Sequence, residues 1–122
     1  MPATVYKVIH LLGIMMLFLS FGGVIIYAIN GGTRETNAWR KPAAITHGIG
    51  LLLALVGGFG LLARFGIGWP WPGWVIAKLI IWLIFAAVVG MAARRPAMGK
   101  ALWWLLLILG GIAAYLAGAK PF

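Results

Sequence analysis

The sequence contains one acidic residue, Glu35, against ten Lys and Arg residues. A chain with one carboxylate cannot supply the paired acids of glycoside hydrolysis or a carboxylate-rich metal site. Glu35 also lies outside the long apolar segments. We therefore expect neither carboxylate-based catalysis nor proton-coupled export through an acidic side chain within a membrane.

Cysteine is absent altogether. Disulfide exchange, thiolate metal sites and iron–sulfur clusters all require cysteine, so these functions are excluded. Serine offers little in their place, because Ser20 has no histidine expected at its depth and no acidic residue to orient one.

Apolar residues dominate the rest of the chain, with 64% hydrophobic and 9% charged residues. A membrane helix needs roughly 20 apolar residues. Four windows meet this length, at about 5–29, 43–65, 73–93 and 101–118. The pattern predicts an all-α integral membrane protein with one domain over residues 1–122, whose first helix is retained rather than cleaved as a signal peptide.

The connections between these windows are short and carry helix-stop signals. The first begins with "NGG" and precedes Pro42, the second is "GIGWPWPGW", and the third is "RRPAMGK". Short connections favour antiparallel neighbours, so we expect a four-helix bundle in up-down-up-down order. The tryptophans of the second connection are typical of membrane-interface anchors: Trp69, Trp71 and Trp74.

Basic residues are concentrated in the first and third connections. The positive-inside rule therefore predicts that loops 30–42 and 94–100 are cytoplasmic, with both termini outside, and we expect a bacterial inner membrane. The positive charge is interpreted as contact with anionic lipid headgroups, and no nucleic-acid partner is expected.

Polar and small residues recur on one stripe of the first helix, at helical spacing: Tyr6, His10, Gly13, Ser20 and Tyr27. Polar groups facing lipid are costly, so this stripe is expected to face a neighbouring helix or a cavity. Interhelical hydrogen bonding and a ligand site are both consistent with it.

The second helix has a comparable face, formed by His47, Gly50, Ala54 and Gly57. We interpret its glycines as helix-packing positions. His47 is interpreted as a packed, hydrogen-bonded histidine rather than a ligand. Because His10 and His47 are expected to differ in depth by roughly 15 to 20 Å, they should not bind one iron together.

Two further cations are expected near His10 on the outer side of the membrane. Lys78 lies about one turn inside the third helix, and Arg64 ends the second. A lysine at this position can extend its ammonium group to the lipid headgroups, which is sufficient to explain its presence in an apolar helix. In a functional interpretation, Lys78 is instead the counter-charge of a carboxylate-bearing ligand.

The segment "GWVIAKLIIWLIFAAVVGMAARRP", residues 73–96, resembles the SirB-like family of small four-helix membrane proteins. His10 and His47 fit the same layout. More remotely, the chain is similar to the HemJ-type protoporphyrinogen oxidases and the CopD group, which are associated with haem or copper. The resemblance implies that His10 and Lys78 are linked to haem, with His47 a weaker candidate.

These observations favour a non-catalytic protein that is an accessory or structural subunit of a larger membrane complex, or a homo-oligomer. No catalytic residue is proposed. The candidate cofactor-binding residues are His10, Lys78, His47 and Arg64, with His10 as the candidate metal ligand and haem b, chlorin, quinone or lipid as candidate ligands. The alternative is a haem-dependent membrane oxidoreductase resembling the HemJ type.

Overall fold

The computed structural model describes residues 2–120 and is all-helical over them. Its four long helices are α1 (Ala3–Ile29), α2 (Arg40–Arg64), α3 (Gly73–Arg94) and α4 (Gly99–Ala119). A single 3₁₀ turn, Pro96–Met98, leads into α4. Each long helix is apolar enough to cross a membrane. The four predicted windows therefore correspond to four helices, and the helices extend past the windows by up to three residues at some ends.

Helix ends coincide with residues that adopt or tolerate a left-handed backbone. Gly31 has φ +88° just after α1, and Gly66 has φ +72° just after α2. Glycine adopts these values without a steric penalty, so the chain can leave the helix there. Lys120 takes a similar conformation after α4, at φ 48°.

The closest contact between helices joins α1 and α2. A Cβ added to Gly13 would lie 2.7 Å from the carbonyl oxygen of Gly50, and one added to Gly57 would lie 2.5 Å from the backbone nitrogen of His10. Such separations are too short for a side chain. At these positions the backbones of the two helices are in direct contact, which dispersion forces favour in a membrane.

The remaining helices join this pair through side chains. Trp82 on α3 donates from Nε1 to the carbonyl oxygen of Leu51 on α2, at 3.0 Å. On α4, a Cβ at Gly110 would meet the ring of Phe18, and one at Gly99 would meet the side chain of Ile29. Thus α3 is hydrogen-bonded to α2, and α4 packs along α1.

The centre of the bundle is aromatic. Phe21 and Phe85 are almost fully buried, with ring centroids 5.3 Å apart, and Phe18 packs against them edge-to-face at 5.4 and 5.6 Å. This arrangement places the positive edge of one ring against the negative face of another. It holds α1 and α3 together at the level of His47, whose ring lies 5.6 Å from that of Phe21.

The two ends of the bundle have different compositions. At one end, which we call the cationic end, the connections 30–39 and 95–98 come together, and Gly99 lies beside Ile29. At the other, the terminal end, Tyr6 lies against Gly60, and Lys120 lies over the rings of the second connection and the start of α3.

The contact between α1 and α2 predicts the effect of a single methyl group. We expect Gly13→Ala to lower the free energy of unfolding by about 1–3 kcal/mol, because the new carbon would meet the backbone of α2. Gly22→Ala, on the same helix, is the matched control, since a Cβ there meets nothing within 4 Å. Denaturant unfolding in a mild detergent, followed by tryptophan fluorescence, measures both. Equal losses in the two variants would contradict the packing described here.

Candidate functional site

His10 is held at the contact between α1 and α2. Its ring is half-buried, and Nδ1 lies 2.7 Å from the carbonyl oxygen of Ala54. A carbonyl oxygen can only accept, so Nδ1 carries the hydrogen and donates it. In the neutral ring this assigns the free lone pair to Nε2, and it is the arrangement in which a histidine ligand is commonly oriented by a backbone carbonyl.

His47 lies deeper in the protein, between α2 and α3. It is 8% exposed, and its Nε2 donates to the carbonyl oxygen of Phe85 at 2.9 Å. Its ring is also in contact range of Phe21. His47 is thus a buried and hydrogen-bonded side chain that links two helices.

The two histidines are far apart along the bundle. The backbone of His10 faces Gly57 on α2, and His47 precedes Gly57 by ten residues. At the helical rise of 1.5 Å per residue, this corresponds to about 15 Å along the axis. Two imidazoles on one iron need nitrogens about 4 Å apart, so the structure does not bring these rings together as joint axial ligands.

Lys78 and Lys120 lie at the terminal end with His10. Lys78, on α3, is half-buried and within electrostatic range of both His10 and Lys120. Arg64, the last residue of α2, is exposed. Of the four candidate cofactor-binding residues, His10 and Lys78 are therefore brought near each other, whereas His47 is at another interface.

Aromatic residues cover the same end. Lys120 Nζ lies 5.7 Å from the ring centroid of Phe65 and 5.8 Å from that of Trp74, within the range of cation–π attraction. Trp69 is 77% exposed, but Trp74 is only 9% exposed. Trp74 differs from the anchoring prediction because it lies in the first turn of α3 and packs against the core.

The polar side chains on the stripe of α1 contact other parts of the protein along the length of the helix. Tyr6 lies against Gly60, Ser20 is buried and donates to the carbonyl oxygen of Leu17 at 2.7 Å, and Tyr27 donates to Thr36 Oγ1 at 2.6 Å. The hydroxyls of Ser20 and Tyr27 have hydrogen-bond partners within the chain and the Tyr6 ring packs against α2, so the stripe contributes to packing and loop structure.

One face of α4 is not covered by the rest of the chain. Trp104 and Tyr115 are 63% and 62% exposed, and Cβ atoms added at Gly111 and Gly118 would meet nothing within 4 Å. These residues, together with Ala114, recur at intervals of three, four or seven and so share a helix face. We call it the α4 face: Trp104, Gly111, Ala114, Tyr115 and Gly118.

The structure also contains a cavity that the sequence did not predict. It lies at the cationic end between α1, α2 and α3 and has a volume of about 380 Å³. Four cations line it: Arg34, Arg40, Lys41 and Arg94. In the sequence these cations indicated only the orientation of the protein. Their convergence around one space could not be read from it, because they come from three separate segments.

Among residues 2–120, no group of three or more His, Cys, Asp or Glu side chains is placed so that it could hold a metal ion. Comparison of the chain with protein-family models, with curated proteins and with solved structures finds no match.

Proposed function

We propose that this protein is a structural membrane subunit that assembles through the α4 face, with a second copy of the chain as its partner. An accessory role in a larger membrane complex is the related alternative. The exposed small residues of α4 are the observation that carries the proposal. Of the four long helices, α4 has the smallest buried share.

Small residues promote association of membrane helices because they let backbones approach closely. Gly111 and Gly118 are seven residues apart on an exposed face, and Ala114 lies between them. Small residues leave a groove on the helix surface. Lipid chains make few contacts in it, whereas the side chains of a neighbouring helix can fill it. Two copies related by a two-fold axis would present the same face to each other, which is the commonest arrangement in homo-oligomers.

Crosslinking in membranes tests this assembly, and the absence of native cysteine makes single-cysteine variants specific. We expect Gly111→Cys and Gly118→Cys to form disulfide-linked dimers on oxidation, seen by non-reducing electrophoresis. Gly48→Cys on α2 is the matched control, because that glycine is also exposed with nothing within 4 Å of its added Cβ.

Dimer formation by the α4 variants alone would support the proposal. Dimer formation no faster than in Gly48→Cys would overturn it. A crosslinked product that contains one different membrane protein, in a fixed ratio to this chain, would favour the accessory-subunit alternative over self-association.

We further propose that the helices are inserted in up-down-up-down order with the cationic end in the cytoplasm. Three contacts support the order: Tyr6 with Gly60, His47 with Phe85, and Gly99 with Ile29. Each joins positions that antiparallel neighbours bring to one depth. The charges of the connections support the orientation.

Accessibility labelling tests the orientation. Cells expressing Gly68→Cys should react with a membrane-impermeant maleimide, and cells expressing Glu35→Cys should react only after the membrane is opened. Both positions are exposed and outside the long helices. The reverse pattern would contradict the proposed orientation, and labelling of both positions in intact cells would contradict a single orientation.

A second candidate function is a haem-dependent oxidoreductase or electron carrier of the kind that the resemblance to the HemJ and CopD groups implies. The observation in its favour is the hydrogen bond from His10 Nδ1 to Ala54, which leaves Nε2 available as a ligand. Lys78 would provide a positive charge for a haem propionate. When bound, haem would supply one-electron redox chemistry.

The absorption spectrum of the protein tests this candidate. If the protein has this second function, protein purified after expression with sufficient haem shows a Soret band that is lost in His10→Ala and retained in His47→Ala. Circular dichroism of both variants controls for loss of fold. A wild-type protein without a Soret band, or an unchanged band in His10→Ala, would contradict haem binding at His10.

A further inference from the structure

The cavity at the cationic end has two chemically different walls. Toward the centre of the bundle it is lined by apolar side chains, among them Val24, Ala28 and Val89, and toward the end of the bundle by cations and polar loop residues. Val24 and Ala28 are buried, whereas the four lining cations are exposed. The space is therefore amphiphilic, with its charged part at the start of α2 and the end of α3.

The positive charge around this cavity has no acidic counterpart in its lining. Glu35 is the only acidic residue of the whole chain, and it is not among the residues that line the cavity within the described range 2–120. Cations held around a shared space repel one another, and the repulsion is stronger beside low-dielectric protein than in bulk water. An anion bound in the cavity would attract each of these cations and so offset their mutual repulsion.

The start of α2 adds to the positive potential. Arg40 and Lys41 are its first two residues, its first turn contains no acidic residue, and Trp39 provides no side-chain cap. The positive end of a helix dipole favours anions, so two cations at this position are unfavourable without a counter-charge. Arg94, in the last turn of α3, is by contrast at the favourable end of its own helix.

The loop that contributes Arg34 is held in place by hydrogen bonds. Tyr27 packs its ring against Gly32 and donates to Thr36 Oγ1 at 2.6 Å, and the backbone nitrogen of Thr33 donates to the same oxygen at 3.0 Å. Arg34 lies between the two bonded threonines. Its backbone is thus positioned before any ligand binds, which lowers the entropy cost of binding.

We propose that this cavity is a specific site for one anionic glycerophospholipid. Its phosphate would lie among Arg34, Arg40 and Arg94, and the upper part of an acyl chain would lie along the apolar wall. Guanidinium groups suit phosphate because their donors match two oxygens at once. Basic pockets between membrane helices are a recognised setting for anionic headgroups. The apolar wall favours a lipid over a free phosphate ion, since it offers the ion no contacts.

The experiment uses the full chain in nanodiscs of phosphatidylcholine, with phosphatidylglycerol added in steps. Native mass spectrometry counts bound lipid, and the thermal unfolding midpoint reports its effect. We expect one phosphatidylglycerol to be retained preferentially and to raise the midpoint. The double variant Arg40→Gln/Arg94→Gln should bind it about tenfold more weakly, which corresponds to about 1.4 kcal/mol.

The matched control is Arg95→Gln/Lys100→Gln, because it also removes two exposed cations at the same end, neither of which lines the cavity. It should bind phosphatidylglycerol as the wild type does. The variant Arg40→Lys/Arg94→Lys keeps the charge and should recover part of the affinity, which separates loss of binding from loss of fold.

Three results would overturn the proposal. The first is equal weakening in Arg95→Gln/Lys100→Gln and Arg40→Gln/Arg94→Gln, which would indicate diffuse attraction to an anionic surface. The second is retention of phosphatidylcholine and phosphatidylglycerol alike. The third is inorganic phosphate or glycerol phosphate giving the full stabilisation in pure phosphatidylcholine, which would identify a soluble phosphate compound as the ligand.

Discussion

The direct backbone contact between α1 and α2 is the constraint on which most of the structure depends. At Gly13, Gly50 and Gly57 there is no room for a Cβ, so the two helix axes come closer than side chains of ordinary size would permit. In a membrane the hydrophobic effect does not drive helices together, and close approach gains dispersion energy instead. A helix pair formed in this way provides the surface against which α3 and α4 pack.

Both histidines acquire their environment from this pair. His10 can reach the carbonyl oxygen of Ala54 because α2 presents glycine at the level where the His10 backbone passes. His47 lies ten residues before Gly57 on the same face of α2, at the level of the aromatic rings, and bonds there to Phe85 of α3. The two residues are of one type, but one is half-buried at the terminal end with Lys78 and the other is buried among aromatic rings. His10 is therefore accessible to a ligand, whereas the surrounding protein shields His47.

The two ends of the bundle are also different in what they can bind. The terminal end combines one histidine, three lysines and several tryptophans, whereas the cationic end has a cavity lined by apolar side chains and by four cations. The lateral surface offers a third possibility at the α4 face. Assembly through α4 and lipid binding at the cationic end use separate residues, so either can occur without the other.

The sequence by itself determined the helical class and the four segments able to cross a membrane, because apolar length and Gly or Pro at the connections are local properties. It also placed His10 and Lys78 at similar depth, since depth follows from counting residues along each helix. Tertiary structure decided which backbone carbonyl each histidine meets, that Trp74 is buried, and that Arg34, Arg40 and Arg94 surround one cavity. These features depend on how helices rotate and approach one another, and no single segment contains that information.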